Sequence, residues 1–211
     1  ASQHPKAQKR DPINVEDVMN SRAIADPLKV LDCSLVSDGR AAVVITRKDR
    51  AKKGPHKPVT LLGYGEGHAY EHISQAKDLT TSAAAQSGRA AYAEAGLTPN
   101  DIDLLQLYDC FTPALLIQIE DLGFCSKGEG GAWLASGISR PGGSKPMNTH
   151  GGMLSYCHPG NPGAMFGLTE AITQMRGNAD ERQLPNMRTA LCHAQGGIMS
   201  SHATIILSVE D

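Results

Sequence analysis

The segment 102–123 restricts the fold more than any other part of the chain. Ile102-Asp103-Leu104-Leu105-Gln106-Leu107-Tyr108 is a short apolar run. Only Asp109, Cys110 and Phe111 separate it from Thr112-Pro113, an N-cap and first-turn proline for a helix Ala114 to Leu122, with Gly123 as its stop. A run apolar at successive positions belongs to a strand covered on both faces, and a covered strand passing straight into a helix is a βα junction of a layered α/β domain. The same alternation continues elsewhere. Val59 to Gly65 is expected to be a strand, and Thr81 to Ala95 an Ala-rich helix ending at Gly96. Asn161-Pro162 opens a helix to Met175, and Thr189 to His193 and Ala203 to Val209 form an antiparallel pair around Gly196-Gly197. Arg40 to Thr46, after Asp38-Gly39, is expected to be a further buried strand. Residues 1–34 form a Pro-punctuated arm with one short helix near Val15 to Met19, and the basic stretch 47–58 is a solvated linker with a domain boundary near Pro55.

Lys and Arg sum to 20 and Asp and Glu to 22 in 211 residues, so the formal charge is −2 and there is no electrostatic footprint for nucleic acid or an anionic membrane. The 40% hydrophobic content and 22 scattered glycines exclude collagen-like, coiled-coil and low-complexity classes. No apolar run approaches the roughly 18 residues of a membrane span. The first residues lack a secretory core, and the five cysteines are an odd number, so a cytoplasmic chain without a disulfide framework is expected.

Three segments place chemistry-bearing residues at element ends. In Leu107-Tyr108-Asp109-Cys110-Phe111-Thr112 the thiol lies near a helix start, where the helix dipole favours thiolate. In Asn148 to Gly160, His158 sits in a turn held by Gly151-Gly152 and Pro159, suited to donating to an oxyanion or moving a proton. Cys192-His193-Ala194-Gln195-Gly196-Gly197 is a strand end whose turn offers backbone N–H groups. A zinc site gathered from His150, Cys157, His158, Cys192, His193 and His202 lacks ligand spacing, so no metal is expected. Gly63-Tyr64-Gly65-Glu66-Gly67 follows a strand, but its third glycine comes one position early for a dinucleotide loop and no helix opens there.

Together, in order and spacing, these segments resemble the C-terminal half of the thiolase superfamily. Tyr108-Asp109-Cys110-Phe111 is similar to the family's His-Asp-Cys-Phe or Asn-Glu-Ala-Phe motif. Gly151-Gly152 through His158-Pro159 matches Gly-Gly-x5-His-Pro, and His193-Ala194-Gln195-Gly196-Gly197 stands where biosynthetic thiolases carry Cys-x-Gly-Gly-Gly. Met199-Ser200-Ser201-His202, Val15 to Leu28 and Val36-Ser37-Asp38-Gly39 resemble the lipid-transfer-protein (sterol-carrier-type) branch. The resemblance implies a mixed five-stranded sheet layered with helices, with 1–54 as the loop arm and last strand of an N-terminal half and 55–211 as the C-terminal domain. It also implies that the acyl-accepting cysteine lies on a half absent from this chain, leaving the isolated chain inactive, and that the complete protein is a homo-oligomer. By resemblance His158 binds the thioester oxygen, Cys110 moves the α-proton, Tyr108 stands at the oxyanion site, and His193, or Cys192 with a one-residue shift, takes the last-motif position. The implied activity is acetyl-CoA acyltransferase chemistry on a coenzyme A thioester substrate, with no permanently bound cofactor. Tyr108 and Gln195 depart from thiolases. The tyrosine resembles the steroid side-chain aldolases of the same superfamily, which work with a small zinc-ribbon acyl-CoA-binding partner. A non-catalytic acyl-CoA or lipid binder is the remaining alternative.

Overall fold

The computed structural model describes residues 1–209. The last two residues of the segment assigned to 55–211 therefore lie outside the described residues. The central sheet has four strands: β1 (Val59–His68), β2 (Leu104–Gln106), β3 (Thr189–Gly196) and β4 (Ser201–Val209), in the order β1-β4-β3-β2. β4 runs antiparallel to both β1 and β3, while β2 lies parallel to β3, so the sheet is mixed. The expected fifth strand is reduced to one parallel bridge, Leu105 to Met147. The Leu105 N–H donates to the Pro146 carbonyl and the Asn148 N–H to the Leu105 carbonyl; beyond them the backbone turns at Asn148, φ +46°, and the Asn148 side chain pairs with Leu107 in its place.

Three helices cover the sheet: α1 (Ala84–Ala95) and α2 (Thr112–Asp121) on one face, α3 (Gly163–Met175) on the other. Alternation along the strands divides the core. Leu105, Leu191 and Ile206 pack with Ala91, Leu115 and Ile119, whereas Leu104, Ala190, Cys192 and Leu207 pack with Ala171 and Met175. The glycines of Gly63-Tyr64-Gly65-Glu66-Gly67 have a packing role, because a Cβ at 63, 65 or 67 would strike the carbonyl oxygens of Ala91, Ser87 and Ala83 on α1. Two strand residues advance ~6.7 Å and four helix residues ~6 Å, so these contacts stay in step along the interface.

Arg40 to Thr46 is not a buried strand. Val44 and Ile45 are 94% and 89% exposed and the segment pairs with no strand among the described residues. Its apolar run has the composition of a buried strand, but among the described residues it joins no sheet. The short helix Val15–Asn20 forms as expected, closed by reciprocal hydrogen bonds between Asn14 and Asp17. Thr112 and Pro113 occupy the first turn of α2, whose N-cap is Phe111. Among the described residues no helix is long and apolar enough to cross a membrane.

Candidate active site

Tyr108, Asp109 and Cys110 lie where β2 gives way to α2, and His158 lies in the loop that precedes α3. Folding brings Tyr108 and His158 together: the Tyr108 hydroxyl is 2.8 Å from His158 Nε2, and the rings meet edge to face. The other ring nitrogen, Nδ1, is 2.8 Å from Ser34 Oγ, while the His158 backbone N–H donates to Ser37 Oγ at 2.7 Å. The imidazole thus sits between two hydroxyls. Burial lowers its pKa and raises that of Tyr108 to about 12, so near pH 7 both groups are neutral and the phenol keeps its proton.

The arm places these serines by stitching across both motif segments. Thr112 Oγ1 donates to Asp32, the Ser34 N–H donates to the Cys110 carbonyl, and the Leu35 N–H donates to the Met153 carbonyl. Gly39 is needed where the arm crosses the His-Pro loop, because a Cβ there would come within 2.9 Å of the Phe166 ring. Ser34, Ser37 and Gln118 were not singled out from the sequence. The partners of Ser34 and Ser37 lie more than a hundred residues away, and the only signal was Ser37 within the segment Val36 to Gly39.

Asp109 is buried and accepts the Met153 N–H at 2.7 Å, tying the β2–α2 junction to the turn at Gly152. Gly152 has φ +63°, and a Cβ on it would overlap the Asp109 carboxylate, so only glycine fits. Burial pushes Asp109 up to about 6, against the hydrogen bonds it accepts.

Cys110 differs from the expectation of a thiolate. Burial, aided by the Asp109 charge, raises it to about 11, against the backbone N–H groups of Cys110 and Phe111, which favour the thiolate. Cys110 packs with Tyr108, Ala114 and Met153. The Gln195 side-chain amide nitrogen lies 3.8 Å from the sulfur. Gln118 on α2 holds this group in place. Its side chain pairs with both backbone groups of Tyr108, at 3.0 and 2.8 Å, and its amide also donates to Gln195 at 3.2 Å.

His193 is not brought to this cluster. It is buried on the α1 side of the sheet, bonded to Thr204 and His202. Cys192 points to the opposite face, among Leu104, Ala190 and Leu207, where burial raises its thiol to about 12. Gln195 is the β3 side chain that reaches the Tyr108–Cys110 junction. Among the described residues, no three His, Cys, Asp or Glu side chains gather as a metal site would require.

The two hydroxyls and the neutral imidazole form a site that can take or give a proton and bind an oxygen that gains negative charge. Residues 65–209 match the family model described as thiolase C-terminal domain-like. The acetyl-CoA acetyltransferase of Methanothermobacter thermautotrophicus is 37% identical over 99% of this chain and 55% of its own length. The 17-hydroxy-3-oxo-4-pregnene-20-carboxyl-CoA lyase of Mycobacterium tuberculosis is 40% identical over 85% of this chain and 47% of its own length. In three dimensions, the Ltp2-ChsH2(DUF35) aldolase superposes with a TM-score of 0.91 at 36% identity, covering 99% of this chain and 55% of that one. The chain therefore spans about half the length of these relatives. With a family-model match over more than half its length, the chain belongs to the thiolase C-terminal domain-like family.

Proposed function

We propose that the protein to which this chain contributes makes or breaks the carbon–carbon bond α to a coenzyme A thioester, by thiolysis of a 3-ketoacyl-CoA or the reverse Claisen condensation. The observation that carries this reading is the neutral His158 imidazole fixed between Ser34 and Tyr108, at 2.8 Å from each. Such a group can donate to a thioester oxygen as an enolate develops, and a preorganised donor of this kind contributes on the order of 3 kcal/mol. Cys110, protonated at pH 7, is suited to give a proton to the α-carbon of the departing enolate in cleavage, and to take it back in condensation. The acyl-accepting cysteine would come from residues outside this chain. A homo-oligomer in the cytoplasm is the assembly we assign to the complete protein.

Retro-aldol cleavage of a 3-hydroxyacyl-CoA is a second reading, favoured by the Tyr108 hydroxyl lying directly on His158 Nε2. The β-hydroxyl proton would pass through the phenol to His158, the carbon–carbon bond would break to release a carbonyl compound, and the proton would return to the α-carbon of the thioester enolate. That reading brings with it a partner of the kind named in the Ltp2-ChsH2(DUF35) assembly. One experiment separates the two. The full-length protein is offered a 3-ketoacyl-CoA with free CoA, and separately a 3-hydroxyacyl-CoA without it. Consumption of free CoA supports thiolysis, and release of a carbonyl compound without free CoA supports the aldol branch. His158→Ala should abolish either reaction, and turnover at the parent rate would rule out both.

A further inference from the structure

The buried residues His193 and His202 take no part in the cluster around His158, yet their hydrogen bonds have one possible direction. His202 Nε2 lies 3.2 Å from the Met199 carbonyl, which can only accept, so the proton is on Nε2 and Nδ1 is an acceptor. His193 Nε2, 3.0 Å from that Nδ1, must therefore donate, which leaves His193 Nδ1 to accept from the Thr204 hydroxyl at 2.8 Å. Thr204 Oγ1 lies 2.8 Å from Ser87 Oγ on α1, whose hydroxyl is also 3.2 Å from the Ala84 carbonyl. The rings stack with centroids 5.2 Å apart, and burial together with His202 holds His193 well below its usual pKa. A second proton on His202 would set its Nδ1–H against the His193 Nε2–H, so the pair as arranged needs a neutral His202.

The end of this chain grips an unusual turn. Gly197, Ile198 and Met199 have φ of +57°, +55° and +64°, three successive left-handed residues, of which the two with side chains cost about 1–2 kcal/mol each. Four of the turn's five carbonyls are occupied: Gly196 by the Ser200 N–H, Gly197 by the Ser200 hydroxyl, Met199 by His202 and Ser200 by the Ala69 N–H. Among the described residues the N–H groups of Gly197, Ile198 and Met199 make no hydrogen bond. The turn follows directly on Gln195, which contacts Cys110.

We infer that His202, with its tautomer set by the Met199 carbonyl and matched by His193, is a positioning residue that holds the Gly196–Ser200 turn in its left-handed form, so that the free N–H groups remain available to an oxyanion. The inference rests on the functional reading above for the oxyanion but not for the positioning. In the full-length protein labelled with 15N-histidine, the imidazole spectrum should show both histidines protonated on Nε2, and a proton on Nδ1 of His202 would overturn the inference. Replacing His202 with leucine removes the grip, whereas His202→Gln keeps an N–H for the Met199 carbonyl. kcat should fall by at least about tenfold in His202→Leu with KM within about twofold, and His202→Gln should recover most of the loss. A folded His202→Leu protein with parental kcat would equally overturn it. If the parent itself turned over no CoA thioester, the functional reading would fail while the spectrum still decided the positioning.

Discussion

His158 is fixed through both ring nitrogens, and this makes the contribution of each neighbour separable. Tyr108→Phe keeps the ring that packs with Cys110 and removes only the hydroxyl on Nε2, so kcat in the full-length protein should fall about a hundredfold, less than the loss in His158→Ala. Steady-state kinetics of the two variants on one substrate test this order. Titration is a second residue-scale consequence. Burial lowers His150 from 6.5 to about 4, so the unfolded chain takes up a proton below pH 6.5 that the fold refuses, and stability falls as pH drops through that window. Asp109 acts the other way: raised from 3.8 to about 6, it holds a proton in the fold that the unfolded chain releases, and this adds stability as pH falls from 6 towards 3.8. Each is on the order of 3 kcal/mol. The two nearly cancel between pH 4 and 6, where lowered His193 and His202 leave a net acid loss. Urea melts from pH 7 to 4 should therefore show a steeper loss for Asp109→Asn than for the parent.

At the scale of elements, the β1–α1 interface admits almost no side-chain volume. Gly65→Ala should lower stability by about 1–3 kcal/mol through overpacking against Ser87, whereas Gly131→Ala, with open space around it in a short helix, should raise it by about 0.5–1 kcal/mol. Thermal melts of the two variants should move in opposite directions. The elements themselves were largely legible from the sequence, because periodicity and end signals are local. The α1, α2, α3, β1, β3 and β4 segments all fall where Ala-rich, Pro-started or β-branched runs pointed. Arg40 to Thr46 was misread because its composition matches a buried strand while its surroundings in this chain do not supply one. Within the candidate site, Tyr108, Cys110 and His158 could be picked out by motif. Their supports could not. Ser34 and Ser37 reach His158 across 124 and 121 residues, and Gln118 looks like any polar residue on an otherwise apolar helix until its two bonds to Tyr108 are seen. The Cys110 thiol departs from the expected thiolate for a related reason: its burial among Tyr108, Ala114 and Met153 depends in part on a residue distant in sequence and outweighs the helix dipole.

The whole molecule is a covered sheet with an arm laid across one end, and the candidate site exists only where arm and sheet meet. Thr112, Cys110, Met153 and His158 each bond to an arm residue between Asp32 and Ser37, whereas the stretch 47–58 between arm and sheet is largely exposed. One peptide bond broken in that stretch would leave the sheet and its helices intact but turn an internal segment into a separate ligand. Ser34 and Ser37 would then reach His158 by a bimolecular encounter, having lost the effective concentration, typically millimolar for short flexible connections, that the linker provides. Activity of the nicked full-length protein should become dependent on dilution, and the released piece added in excess should restore it. The linker, which touches none of the reacting groups, thus sets the concentration at which the site exists.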